Sequence, residues 1–418
     1  MQITLFGFLW GGVILWAFFQ SDFKKMLFVT CLSMIIQCNN VLVLNGTGIG
    51  PQAFTVLVAC IRLLLVTSTT TNAEKPKYLC VFLILLLGVL MMSMVVNSAF
   101  KKKQLIPLVI IIVYTLFFVL LYEKKIAIDG KWLEKLEDTI VLIILIVGLL
   151  QVLTKMWSLP LSFILRPLVY NDVTNSDVIF NYKSTSRFYA TFMEPSYCGA
   201  FLVGLFALIS LRPKAEKKNI LLSIFIAVAI ILTESSTAYG GLAIMIVILL
   251  FVRAKKKVYK IILPILLVAG IVFIGFNSDI LNEVIFDKAD SGSYKVRQQW
   301  NKTAISAFEN NLLFGRGFRT LRASSLWYSM LGETGLTGAI AYILVVLYYA
   351  TYIFNGKKYV NATSRALLVL GIVIGQLIAC PDLTLSPFWL AQYWFVLAFQ
   401  IDNEKALYKD RIQGGYVG

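Results

Sequence analysis

The chain has 418 residues, of which 59% are hydrophobic and only 14% charged, with a formal net charge of +16. So few charges cannot cover a soluble particle of this size, and the mean hydropathy of +0.80 agrees. The excess Lys and Arg sit mostly in short loops, where they set membrane orientation, so the basic balance does not argue for a nucleic-acid partner.

The apolar residues come in blocks. Residues 106–121 and 139–153 carry no charge at all. Blocks of this length between short charged loops predict transmembrane helices, because lipid offers no partner for an exposed backbone group. Helices are predicted at 3–19, 26–44, 52–71, 78–98, 105–122, 139–155, 195–211, 219–233, 237–252, 260–276, 335–353, 364–380 and 386–400. The first block lacks the basic start and small-residue cleavage site of a signal peptide, so it is read as a helix. The fold class expected is an all-α polytopic membrane protein with about 12–13 transmembrane helices. It forms one integral membrane domain over 1–418.

Basic loops at Lys24–Lys25, Lys75–Lys77, Glu123–Lys135, Arg212–Lys218, Arg253–Lys257 and Lys357–Lys358 are taken as cytoplasmic. That choice puts the N-terminus outside and the C-terminus inside. Lys101–Lys103 is the one basic run that then falls outside. Two segments too long to be turns, 156–194 and 277–334, also face outward. They keep aromatic residues such as Trp300, Phe314, Phe318 and Trp327, so they are expected to be folded. Within the second, Val296, Trp300, Ile305 and Phe308 fall near one helical face, with Lys295 and Lys302 opposite. This predicts an amphipathic helix lying on the membrane surface or over a cavity.

All six cysteines fall in apolar segments and read as small buried residues. Histidine is absent from the chain. No metal site and no cofactor is expected.

Four outward motifs carry charge or tight turns. The first runs from Arg187 through Tyr189 to Glu194-Pro195-Ser196. Its plain reading is a helix start with Pro at the first position and Glu194 at the cap. Its functional reading puts Arg187 and Glu194 at an outer cavity, where ionisable groups are costly and often functional. The second is the Ser-rich turn Thr233–Ser236, with Ser235 beside the same cavity. The third is Gly315-Arg316-Gly317 with Arg319 and Arg322. These arginines suit phosphate oxygens or lipid headgroups, and the glycines permit close backbone approach. The fourth is Glu333-Thr334-Gly335, opening the next helix, where small residues suit helix packing. Arg62 lies inside an apolar span. It is read either as snorkelling or as a partner for an acidic residue such as Asp382.

In this order and on this side, the four motifs and the Arg297–Trp300 helix resemble the bacterial O-antigen polymerase and ligase superfamily. The resemblance covers roughly residues 181–340. It implies a GT-C-like membrane glycosyltransferase, a polymerase of O-antigen or capsule repeat units. The donor would be a glycan on undecaprenyl pyrophosphate and the acceptor a sugar hydroxyl of another lipid-linked unit. The implied catalytic residues are Glu194 and Arg187. Arg187, Arg297, Arg316 and Arg319 would hold the pyrophosphate, and Tyr189, Ser235, Tyr328 and Glu333 would line the cavity or position the acceptor. The setting implied is the bacterial plasma (inner) membrane with the site facing the periplasm or outside, with membrane lipids and a chain-length regulator as partners. Ligases of this group often carry a His-Asn pair about nine residues before the last Glu. Ser324-Ser325 stands there in this chain, which tilts the reading to polymerase. The alternatives are a ligase and, from another class, a lipid-linked oligosaccharide flippase.

Overall fold

The computed structural model describes residues 2–44, 47–65, 77–124, 126, 128–156, 187–212, 216–253, 292–354 and 360–414. The chain is an all-α polytopic membrane protein. Its helices are α1 (Leu5–Phe18), α2 (Phe23–Ile35), α3 (Pro51–Leu64), α4 (Lys77–Val96), α5 (Lys102–Glu123) and α6 (Gly130–Met156). Then follow α7 (Pro195–Ser210), α8 (Lys217–Leu232), α9 (Ser236–Arg253), α10 (Gly292–Asn310), α11 (Leu326–Phe354), α12 (Val360–Ile378) and α13 (Ser386–Gly414). Six of them, α4, α5, α6, α9, α11 and α12, are long and apolar enough to cross a membrane. The helix expected at 260–276, most of the loop at 156–194 and the start of the loop at 277–334 lie outside the described residues.

A helix apolar all round lies in a protein core or faces lipid, and burial tells the two apart. Residues 388–399 of α13 are buried without a break, and so is nearly every residue of α7. Along α12, 83% of the spanning window is buried, against 28–44% in the other five candidate spans. These three helices therefore form the centre, and the others present apolar faces outward.

Lipid tails are as apolar as leucine, so central helices need close backbone packing rather than hydrophobic exclusion. Small residues supply it between α7 and α12. A side chain at Gly204 would meet Leu368 O at 2.5 Å, one at Gly371 would meet Gly204 Cα at 2.6 Å, and one at Gly375 would meet Ala200 Cβ at 2.3 Å. Gly371 and Gly375 thus form a Gly-x-x-x-Gly seam against Ala200 and Gly204.

Charge closes one end of the bundle. Glu137 of α6 is wholly buried and takes Arg365 of α12 through both oxygens, at 2.8 and 2.9 Å. The same carboxylate pairs with Arg212 beyond α7 at 3.1 Å, and Arg212 also reaches Asp138 at 2.6 Å. Three helices are tied there by charges that cannot be left single away from water. Arg62 lies at this end too. It donates to the carbonyls of Gln20 at 3.0 Å and Ser21 at 3.4 Å, so it does not pair with Asp382.

One expectation is corrected. The helix expected to run to residue 44 stops at Ile35, and a small antiparallel sheet follows, with β1 (Gln2–Ile3), β2 (Leu42–Leu44) and β3 (Thr47–Ile49) paired in the order β1-β2-β3. On the expected apolar face of α10, Trp300 and Phe308 are half-buried while Val296 and Ile305 are exposed, and the helix meets the bundle through the buried Ala304 and Ala307. Gly332 of α11 comes so near Ala304 that an added side chain would sit 2.8 Å from its carbonyl oxygen, and only small residues fit that contact.

Replacing Gly371 by Val is expected to part α7 from α12 and destabilise the chain by about 1–3 kcal/mol, as overpacking does. Gly88 has no atom within 4 Å of an added side chain, so Gly88→Val should be neutral. Thermal unfolding in detergent of the two variants checks the difference.

Candidate functional site

At the end of the bundle away from Glu137, the chain leaves its helices in five places that touch one another. Residues 187–194 meet the end of α2, with Gln37 N–H donating to Thr191 O at 3.0 Å and Thr191 Oγ1 to Ile35 O at 2.6 Å. They also meet the turn after α8, through Phe188 N–H to Leu232 O at 2.8 Å. Ser386, at the start of α13, donates to Met34 O at 2.7 Å. The loop 311–325 reaches the residues just before α13 through Arg319.

That loop is held by a broken helix. Within α11, Gly335 has φ +67° and ψ −159°, which interrupts the helical ladder. The freed groups find partners in the loop. Arg316 N–H donates to Gly332 O at 2.9 Å and Gly317 N–H to Glu333 O at 2.9 Å, while Leu336 N–H donates to Leu312 O at 2.8 Å and Thr337 N–H to Leu313 O at 3.2 Å. Gly315 has positive φ and lies so close that a side chain on it would meet Glu333 C at 2.4 Å. The close approach that Gly315 permits is therefore filled by the chain's own α11, and that at Gly317 by Ala99 just beyond α4.

Arg319 is the one loop residue without glycine's freedom that takes a positive φ, +58°. Its guanidinium meets Asp382 at 2.5 Å and the Thr384 hydroxyl at 3.2 Å. Asp382 is itself held by the Thr384 N–H and hydroxyl, both at 2.7 Å. Burial pushes the Asp382 carboxyl up, but Arg319 and the two Thr384 bonds outweigh it and hold it below the ordinary carboxylate value. Glu333 is buried at the break, where its carbonyl accepts from the Ser93 hydroxyl at 2.7 Å as well as from Gly317 N–H.

Glu194 stands beside this pair. It occupies the N-cap position of α7, and its carbonyl accepts from Tyr197 and Cys198 at 3.1 and 3.2 Å. Its carboxylate does not cap the helix. Among the described residues that carboxylate accepts only from the Ser196 hydroxyl, at 3.3 Å. Glu194, Asp382 and Arg297 all lie within electrostatic reach of the buried Cys380 thiol, and Tyr197 lies among Asp382, Glu194 and Arg319.

The other motif residues spread around this centre. Arg187 donates through Nε to Thr233 O at 2.9 Å and through Nη2 to Glu234 O at 3.0 Å, which braces the turn where Glu234 has φ +48°. Ser235 is buried in that turn, and Tyr189 is buried with its N–H on Gln151 at 3.1 Å. Arg297 is exposed on the first turns of α10. Arg316 points elsewhere, into a shallow cavity of about 520 Å³ shared with Lys302 and Asn310. Arg322 covers Trp300, 4.1 Å from the ring centre. Tyr328 is half-buried in the first turn of α11.

Sequence reasoning missed the pairing of Arg319 with Asp382. The available signal was that Asp382 is the sole acidic residue between Glu333 and Asp402, in a stretch otherwise apolar. All six cysteines are buried thiols. Among the described residues no group of three or more Cys, Asp or Glu stands close enough to hold a metal ion.

Asp382→Asn is expected to cost about 1.5–3 kcal/mol, the worth of a charge-assisted bond. The sign follows from the depressed folded value. The stabilisation is complete above the ordinary value of 3.8 and is lost only as pH falls through the folded one. The melting gap between wild type and D382N should be constant from neutral pH down to about 4 and close below that.

Residues 221–336 match the family described as O-antigen ligase. The matched stretch takes in α8, α9, α10, the loop and the break in α11. No curated protein sequence matches the chain.

Proposed function

We propose that the chain is a member of the O-antigen ligase and polymerase superfamily and that it polymerises lipid-linked glycan repeat units. The observation that carries this reading is Glu194: a carboxylate at a helix N-cap that does not cap the helix and accepts, among the described residues, only from Ser196. In the reaction, an acceptor sugar hydroxyl attacks the anomeric carbon of the donor glycan. The bond from that carbon to the polyprenyl pyrophosphate breaks, and the pyrophosphate leaves with the electron pair. The hydroxyl proton passes to Glu194, the base in this account. A pyrophosphate already leaves well, so the remaining need is cations that hold its growing charge.

Arg297 is the first candidate, because it is exposed and makes no hydrogen bond or ion pair among the described residues. Arg187 keeps Nη1 for a phosphate oxygen after bracing the Thr233–Glu234 turn. Arg319 contributes through its pair with Asp382. Arg316, in its separate cavity, is given the outer phosphate or the adjoining glycan. Tyr189, Ser235, Tyr328 and Glu333 shape the cavity around the acceptor. The site faces the outside of a bacterial plasma membrane in this reading.

A ligase is the second reading, since the matched family carries that description. A ligase using a histidine base has no residue for it here, because the chain contains none. The position where such ligases carry His-Asn is Ser324-Ser325, and Ser324 N–H is tied to Asn301 of α10 at 3.0 Å.

Deleting the gene should leave cells with single repeat units in place of a polymer ladder. Long glycan that persists unattached would instead mark a ligase. In complemented cells, Arg297→Ala should cut polymer about 10²–10³-fold, the scale of one lost charge-stabilising donor. Arg297→Lys should recover part of it. Gel separation of the lipid-linked glycans reads both.

A further inference from the structure

The basic end of α7 holds a second feature, far from Glu194. Sixteen residues of α7 separate the two, about 24 Å at a rise of about 1.5 Å each. Here a groove of about 280 Å³ opens between α7 and α8. Its wall is apolar, formed by Phe206, Ile220, Ile224 and Ala227. Its mouth is polar and cationic, with Asn219, Arg212 and Arg253. No carboxylate lines it.

The two arginines differ in what they can offer. Arg212 is buried and committed to Glu137 and Asp138, although its Nε finds no acceptor among the described residues. Arg253, at the end of α9, is exposed. It reaches across to donate through Nη2 to Ser210 O, the last carbonyl of α7. A guanidinium has five donors, and among the described residues Arg253 makes no other hydrogen bond. Lys218, with its side chain 61% exposed, is paired with Asp138 at the edge of the same cluster.

Ile220 and Ile224 are 56% and 54% exposed on the outward face of α8, so the groove opens sideways, where acyl chains lie in a membrane. An apolar wall with a cationic mouth fits an amphiphile with an anionic head. A free phosphate would leave the wall unfilled, and a zwitterionic head would bring its cation against Arg253. We propose that this groove binds a phospholipid of net negative headgroup, its phosphate on Arg253 and Asn219 and one acyl chain along α7 and α8. Bound there, the lipid joins the end of α9 to the end of α7 and steadies the central helix from the side opposite Glu194.

The full-length protein, purified in detergent, tests this without any assay of activity. Its melting temperature is followed during titration with phosphatidylglycerol, phosphatidylcholine or inorganic phosphate. Phosphatidylglycerol should stabilise wild type well beyond phosphatidylcholine, and inorganic phosphate should do little. Arg253→Gln should bind phosphatidylglycerol about fivefold more weakly, the loss of one surface cation. Ala227→Trp, which fills the wall and leaves every charge in place, should lose the preference while melting normally in phosphatidylcholine. Equal stabilisation of wild type and both variants by phosphatidylglycerol overturns the proposal. So does stabilisation by inorganic phosphate alone as large as that by the lipid.

Discussion

The break in α11 at Gly335 is the constraint on which the candidate site depends. A helix interrupted in an apolar setting exposes carbonyls before the break and N–H groups after it, and lipid offers them nothing. Here the loop 311–325 satisfies them, with Arg316 and Gly317 donating to Gly332 and Glu333, and Leu312 and Leu313 accepting from Leu336 and Thr337. Irregular backbone at this depth is tolerated because it is paired inside the protein. The same pairing fixes where Arg319 stands, since Glu333 O holds the N–H of Gly317 two residues before it, while the Arg319 guanidinium reaches Asp382. One glycine conformation thereby sets the position of a cation more than a turn away in sequence, beside Glu194.

The two ends of the bundle treat charge differently. At the Glu137 end the ions are buried and mutually satisfied, with Arg365 and Arg212 on one carboxylate. Such a cluster holds helices in register and leaves little charge to offer. At the other end the groups are partly exposed and incompletely used. Glu194 has one weak partner, Arg187 uses one edge of its guanidinium, and Arg297 has none among the described residues. Groups left with spare capacity at a membrane edge are the ones able to meet a charged, lipid-anchored substrate.

Much of this architecture was legible in the sequence, for a physical reason. Apolar blocks long enough to span lipid have few alternatives to a helix, so α3 to α9 appear where the hydropathy puts them. The helix starts at Pro51 and Pro195 were readable from proline alone. Other features were written in shorter patterns. Asn45-Gly46, between β2 and β3, is a strong hairpin signal. Gly371 and Gly375 are spaced for close helix packing, and the seam with Ala200 and Gly204 follows from that spacing. In α10 hydrophobicity marks Val296 and Ile305, whereas the contact with Gly332 selects for size and takes Ala304. The pair Arg319–Asp382 had no local signature. It exists because the broken helix and the turn before α13 converge in three dimensions.

The account rests on Glu194 acting as a base beside cations rather than as a helix cap. The most direct measurement is reconstitution of the purified protein in liposomes with a single polyprenyl-pyrophosphate-linked repeat unit, comparing wild type with Glu194→Gln. The predicted result is a glycan ladder from wild type and only unreacted donor from E194Q, with the two proteins melting at the same temperature. A full ladder from E194Q at wild-type rate would contradict the account.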